Sequence, residues 1–182
     1  MPAREDKGLL IRPWRAASLT FPIMTTSASL PAGPFTVPRP ATPADLEALL
    51  ALEALCFEFN RMGRRSFKRL LERPSAHILV IDGAGGTLAA SAVLLSRVGN
   101  RGLRVYSLAV HPRQRGRGLA KAMMAAALDL ARATGHQWLS LEVHPENAAA
   151  RALYDRLGFH QTSVEENYYA DGSHAFRLRR YV

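Results

Sequence analysis

The sequence predicts an α/β fold, with elements in the order β-α-α-β-β-β-α-β-α-β-β. Three stretches carry that prediction. The apolar run Tyr106-Ser107-Leu108-Ala109-Val110 meets a basic glycine turn at residues 113–118, and an apolar-periodic segment follows over 119–134. Residues 139–144 alternate apolar and polar, then pass into a helical stripe of Ala150, Leu153, Tyr154 and Leu157. The turn Asp82-Gly83-Ala84-Gly85-Gly86 joins two apolar runs, 77–82 and 88–97, into neighbouring strands.

Each element has its own signal. Residues 1–34 contain Pro13, Pro22, Pro31 and Pro34 among short apolar stretches, and are expected to form a poorly ordered extension. A targeting peptide is the alternative, opposed by Glu5, Asp6 and the prolines; Met24 is an alternative start. Residues 35–182 are expected to form one domain. Residues 35–39 read as a first strand. A helix over 43–55 opens after Thr42 as cap, and a second over 66–72 stops before Pro74. Gly99, Asn100 and Gly102 turn the chain into a strand over 103–110. After the helix over 119–134 come a strand over 138–144 and a helix over 147–157, with Pro145 and Asn147 at its start and Gly158 as its stop. Two more strands complete the order.

Composition narrows the function. The chain has 182 residues, 48% of them apolar, which suffices for one substantial core. No apolar run approaches a membrane span. Cys56 is the single cysteine, so no internal disulfide framework exists; beside Leu46, Leu49, Leu50 and Leu52 it reads as a structural thiol. No Cys/His cluster has metal-ligand spacing, so no metal is expected. The formal net charge of +9 favours anionic or acidic partners. Part of it lies in Arg61, Arg64, Arg65, Lys68 and Arg69, read as a solvated helix face, with nucleic-acid contact as the alternative. No helix-turn-helix, zinc finger or aromatic strand motif supports direct nucleic-acid readout.

A strand feeding a glycine turn that opens a helix cradles a pyrophosphate. The N–H groups of the first helical turn point at the anion, and the helix dipole adds partial positive charge. Gly116 and Gly118 let phosphates approach the main chain, while Arg113, Arg115 and Arg117 add charge and donors. The turn is not a Walker loop, lacking Gly-Lys-Ser/Thr, nor the dinucleotide fingerprint, since Lys121 replaces its third glycine.

Arg115-x-x-Gly118-x-Ala120 resembles the acetyl-CoA pyrophosphate loop of the GCN5-related N-acetyltransferases (GNAT). Asn147, Ala150, Leu153, Tyr154, Gly158 and Phe159 resemble that family's second signature. With Leu141-Glu142-Val143, Asn167-Tyr168-Tyr169, Asp171-Gly172 and Ala175, the chain is similar to bacterial ribosomal-protein-alanine N-acetyltransferases. It departs from them at His111, at His144 and at Phe57-Glu58-Phe59-Asn60.

The resemblance implies the GNAT acyl-CoA N-acyltransferase fold, a mixed, strongly twisted sheet with helices on both faces. It also implies acetyl-CoA as cosubstrate, held by Leu108, Ala109, Val110, Arg115, Gly116, Arg117, Gly118, Leu119, Ala120 and Asn147. The fourth and fifth strands are expected to splay around the thioester, with a backbone N–H near Val110 polarising its carbonyl. Glu142 is implied as general base and Tyr154 as general acid. His144 is the alternative base; a salt bridge is the plain alternative for Glu142, and core packing for Tyr154. Phe57, Phe59, Tyr168 and Tyr169 are implied as walls of the acceptor site, with core or hairpin packing as their alternative.

The expected acceptor is the N-terminal α-amine of a protein or peptide, with ribosome proximity, a cytoplasmic location and a monomer or weak dimer. The alternatives are a small-molecule amine, such as an amino acid, polyamine or drug, or a non-catalytic CoA-binding regulatory module.

Overall fold

The computed structural model describes residues 37–58 and 61–182. The expectations for residues 1–34, for Met24 and for Phe59 therefore lie outside the described residues. Seven strands form one sheet: β1 (Arg39–Pro40), β2 (Ala76–Asp82), β3 (Leu88–Ser96), β4 (Gly102–Val110), β5 (Trp138–Val143), β6 (His160–Glu165) and β7 (Ala175–Tyr181). Among the described residues four α-helices accompany them: α1 (Leu46–Cys56), α2 (Arg64–Glu72), α3 (Leu119–Ala133) and α4 (Ala148–Arg156). The expected element order holds.

The strand order is β1-β2-β3-β4-β5-β7-β6. Among the described residues only β4 and β5 run parallel, since α3 carries the chain back between them. The first strand is shorter and later than expected, Arg39–Pro40 only. Pro38 and Pro40 bring no N–H to a ladder, which confines this segment to a brief edge pairing with Leu79 and Val80. Arg39 anchors it, its guanidinium bonding both Asp82 and Asp45. The first helix begins as a 3-10 turn at Pro43–Asp45, with Thr42 as cap, and α2 begins at Arg64 rather than 66.

The core has two parts, one on each side of the sheet. Leu46, Leu49 and Leu52 of α1 and Phe67 and Leu70 of α2 pack with Ile78, Val80, Val93 and Ala109. On the other side Met123, Met124, Ala127 and Leu128 of α3 and Tyr154 of α4 pack with Leu79, Ile81, Leu103, Val105, Leu139 and Leu141.

Strand β4 changes face along its length. Val93 pairs with Ser107 but Leu94 pairs with Val105, which leaves Tyr106 as the extra residue of a bulge. Leu103 and Val105 face α3; past the bulge Leu108 and Val110 do, while Ala109 turns to α1 and α2. An unbroken period of two would have put Leu108 and Val110 on the opposite face.

Candidate functional site: a cleft between two diverging strands

The parallel ladder lasts only from Gly102–Trp138 to Val105–Leu141. It stops where Tyr106 bulges, and β4 runs on to Val110 paired only with β3. Leu108, Ala109 and Val110 thus line one side of an opening whose other side begins at Glu142. Near its end Cys56 Sγ donates to the Val110 carbonyl at 3.3 Å, giving the thiol a structural contact.

The glycine turn lies at the end of β4. His111 Nδ1 accepts from the Arg113 N–H, closing a 3-10 turn at Pro112–Gln114. Gly116 and Gly118 have φ of 76° and 77°, which a side chain would strain. Gly118 is the N-cap of α3 and brings no capping side chain to it. The first intrahelical N–H donor is that of Ala122, to the Gly118 carbonyl, so the N–H groups of Leu119, Ala120 and Lys121 remain available to an anion. Arg113, Arg115 and Arg117 are exposed beside them. These features fit a diphosphate.

Glu142 is the most constrained carboxylate of the site, its side chain 4% exposed. It follows directly after the last β4–β5 pair and stands opposite Arg177 of β7. Arg104 Nη2 lies 2.7 Å from Oε2, and Arg177 Nε lies 3.1 Å from Oε1. The Tyr168 hydroxyl accepts from Arg104 Nη2 at 2.6 Å and donates to Oε2 at 3.4 Å. Burial, with the Glu142 charge next, pushes the Tyr168 phenol up to about 12. Sequence reading missed both arginines. Their signal is a polar residue at the alternate position of a strand, legible only once the strand neighbours are known.

His144, just beyond β5, is buried, and both its ring nitrogens are engaged. Nδ1 faces the Glu146 N–H at 3.1 Å and therefore accepts, which places the ring proton on Nε2, 3.1 Å from Ser173 Oγ. Ser173 Oγ donates to Asp171 Oδ1 at 2.6 Å. This chain ties the β6–β7 loop to the end of β5. The Tyr169 ring lies against His144 at 5.0 Å and edge-on to Tyr168 at 5.0 Å. Tyr169 is buried, and that burial raises its phenol far above the ordinary range.

Tyr154 lies on the inner stripe of α4, tilted on Phe159 with centroids 5.7 Å apart. No hydrogen bond reaches its hydroxyl from the described residues, and burial pushes its pKa up to about 12. Asn147 Oδ1 accepts from the Ala150 N–H at 3.1 Å, so it caps α4. Phe57 is partly buried against the α1–α2 core. Its loop is held by Glu53, a buried carboxylate of α1 whose Oε1 accepts from the Met62 N–H at 2.8 Å. The structure therefore brings Glu142, Tyr168, Tyr169 and His144 together around the β5 end. Among the described residues no group of three or more His, Cys, Asp or Glu could hold a metal.

The profile described as the Acetyltransferase (GNAT) family matches residues 46–159. The chain belongs to the GNAT family. It is 33% identical over 144 residues to the N-alpha-acetyltransferase RimI of Mycobacterium tuberculosis, covering 76% of this chain and 88% of that protein. It is also 38% identical over 135 residues to a mycothiol acetyltransferase of Beutenbergia cavernae, covering 70% of this chain but 45% of that protein. The chain thus spans about half the length of that relative. The crystal structure of the ribosomal-protein-S18-alanine N-acetyltransferase from Escherichia coli superposes with a TM-score of 0.71 at 26% identity, covering 81% of this chain and 94% of that one. Arabidopsis thaliana NAA60, solved in complex with acetyl-CoA, shares the fold with a TM-score of 0.72 at 18% identity, over 81% of this chain and 98% of that one. The mixed seven-stranded sheet with four helices is the GNAT fold. Among the described residues no helix is long and apolar enough to cross a membrane.

Proposed function

We propose that this GNAT chain transfers an acetyl group from acetyl-CoA to the N-terminal α-amine of a protein or peptide. The observation that carries the reading is the β4–β5 cleft, with the glycine turn at one end and the tyrosine-walled Glu142 at the other. The likeness to enzymes named for N-terminal acetylation supports the acceptor.

In this reading the N–H groups of residues 119–121 and Arg115 and Arg117 hold the pyrophosphate, and the open edge of Leu108–Val110 hydrogen-bonds the pantetheine arm. A backbone N–H near Val110 stabilises the oxyanion. The amine nitrogen attacks the thioester carbonyl, a C–N bond forms and the C–S bond breaks. Glu142, held in place by Arg104 and Arg177, takes the proton that the amine loses. Tyr154, protonated at neutral pH, gives its proton to the departing thiolate. His144 has no unengaged lone pair and serves to position the loop.

A second reading, acetylation of a small-molecule amine, is favoured by the likeness to mycothiol acetyltransferase. A panel of peptides, free amino acids, amino sugars and polyamines with acetyl-CoA, read by free thiol release, separates the two. An unblocked Ala- or Ser-initiated peptide should give the highest kcat/KM. A free amino acid or polyamine outrunning every peptide would leave only the acetyltransferase assignment.

A further inference from the structure

Helices α1 and α2 pack over β2, β3 and β4. On the same face of β5, β7 and β6 the residues other than Glu142, whose side chain is covered by its two arginines, are half-buried or exposed. Three rows cross this face. Glu142 stands beside Arg177; Ser140 beside Arg179 and His160; Trp138 beside Tyr181. In the first row Arg104 and Arg177 occupy both oxygens of Glu142, and Arg177 also pairs with Glu165 at 3.0 Å.

Among the described residues Arg179 therefore has no carboxylate partner. Its guanidinium lies over the Trp138 ring at 4.5 Å, and its Nε is buried without a hydrogen-bond partner among the described residues. The platform under it is fixed. The Trp138 indole lies across Gly102, where a Cβ would come within 2.0 Å of Nε1. Tyr181 meets Trp138 edge-on at 6.1 Å and stacks on His160 at 6.0 Å. An arginine laid on an aromatic face keeps its donors in the ring plane's direction and has lost rotamer freedom already, so it can grip a carboxylate at low further entropy cost.

We propose that Arg179 on this platform is a subsite for an acidic side chain of the acceptor polypeptide, at its third residue. The inference rests on the peptide-acceptor reading. Ser140 is two residues from Glu142 along β5, roughly 6–7 Å at ~3.3 Å per residue. An extended acceptor with its amine at Glu142 places its third side chain at the same spacing and on the same side as its first.

The test uses the whole chain, acetyl-CoA and three peptides that start Ala-Ala-Asp, Ala-Ala-Asn and Ala-Ala-Lys. The Asp peptide should show a KM roughly tenfold below the Asn peptide, the size of a charge-assisted contact, and the Lys peptide the highest. Arg179→Gln should erase the Asp–Asn difference without changing kcat or the KM of acetyl-CoA; Arg179→Lys should keep part of it. Equal KM for Asp and Asn peptides in the unaltered protein overturns the subsite and leaves the peptide reading standing. So does a difference that survives Arg179→Gln. Calorimetry with the same peptides already N-acetylated reads the subsite without turnover. Tighter binding of the Asp form, lost in Arg179→Gln, supports it even if none of the unblocked peptides is acetylated, a result that would sink only the acceptor reading.

Discussion

Arg104 Nη2 and Glu142 Oε2 lie 2.7 Å apart, bridging the two strands where their ladder has just ended. Arg104 belongs to the stretch of β4 that pairs with β5, and Glu142 is the first residue of β5 past that ladder, paired with β7 alone. The ion pair thus clamps the mouth of the cleft. It also fixes the orientation of the Glu142 carboxylate at that mouth.

Replacing Glu142 by Gln should lower kcat by roughly 10²-fold, the size of lost acid–base assistance. It should also destabilise the fold by about 1–3 kcal/mol, less than the loss of a partner in a fully buried pair, because both arginine side chains are 38% exposed and can be rehydrated. Thermal melting and the pH–rate profile check the two effects separately. A fully active Glu142→Gln with an inactive His144→Ala would move the base to His144.

Tyr154→Phe removes one hydroxyl that has no partner among the described residues and leaves the ring packing on Phe159 intact. Stability should hardly change and kcat should fall roughly 10²-fold, with acetyl-CoA affinity retained. With the phenol pushed up to about 12, a falling limb due to Tyr154 should not appear below about pH 10. Stopped assays across pH 6 to 10 would reveal an earlier limb.

Gly118→Val forces a β-branched residue to φ 77°. The expected cost is about 1–2 kcal/mol of stability, the scale of left-handed strain. Calorimetric affinity for acetyl-CoA should fall much further than affinity for dephosphorylated pantetheine. Equal loss for both ligands would deny the turn a phosphate role.

Asp45 is held well below the ordinary carboxylate range, at about 2, chiefly by the Arg39 guanidinium and then by the Thr42 N–H. A depressed folded pKa adds stability that is complete above the unfolded value and disappears as pH falls through the folded one. Asp45→Asn should therefore melt earlier than the unaltered protein at pH 7. The gap should close between about pH 4 and pH 2. A gap independent of pH would assign the effect to packing instead.

Most of the fold was legible because its signals are local. The alternation from Leu139 to Val143 placed three buried residues, and the stripe through Tyr154 placed one buried residue with Ala150, Leu153 and Leu157 partly buried beside it. The glycine turn showed the end of β4 and the start of α3. What stayed hidden depends on strand order. Nothing near Arg104 or Arg177 in sequence says that β7 inserts beside β5, so the partners of Glu142 could not be named. Nor does the pattern around Tyr106 announce a bulge, since Leu108 and Val110 look equally apolar in either register. The link from His144 through Ser173 to Asp171 spans 29 residues between its first two members, beyond any helical or strand period.

The unpaired flank of β4 from Tyr106 to Val110 also bears on self-association. Exposed strand edges invite pairing with other chains, and proteins commonly blunt them with charge, proline or a covering element. Here the edge faces inward, guarded by its position. Strand β5 pairs with β4 over the four residues just before this edge and diverges beside it, so the edge lies between strands of one sheet rather than at its rim. In the proposed reading a single slender chain bearing amide groups satisfies this edge, and so keeps it from strand addition by another protein.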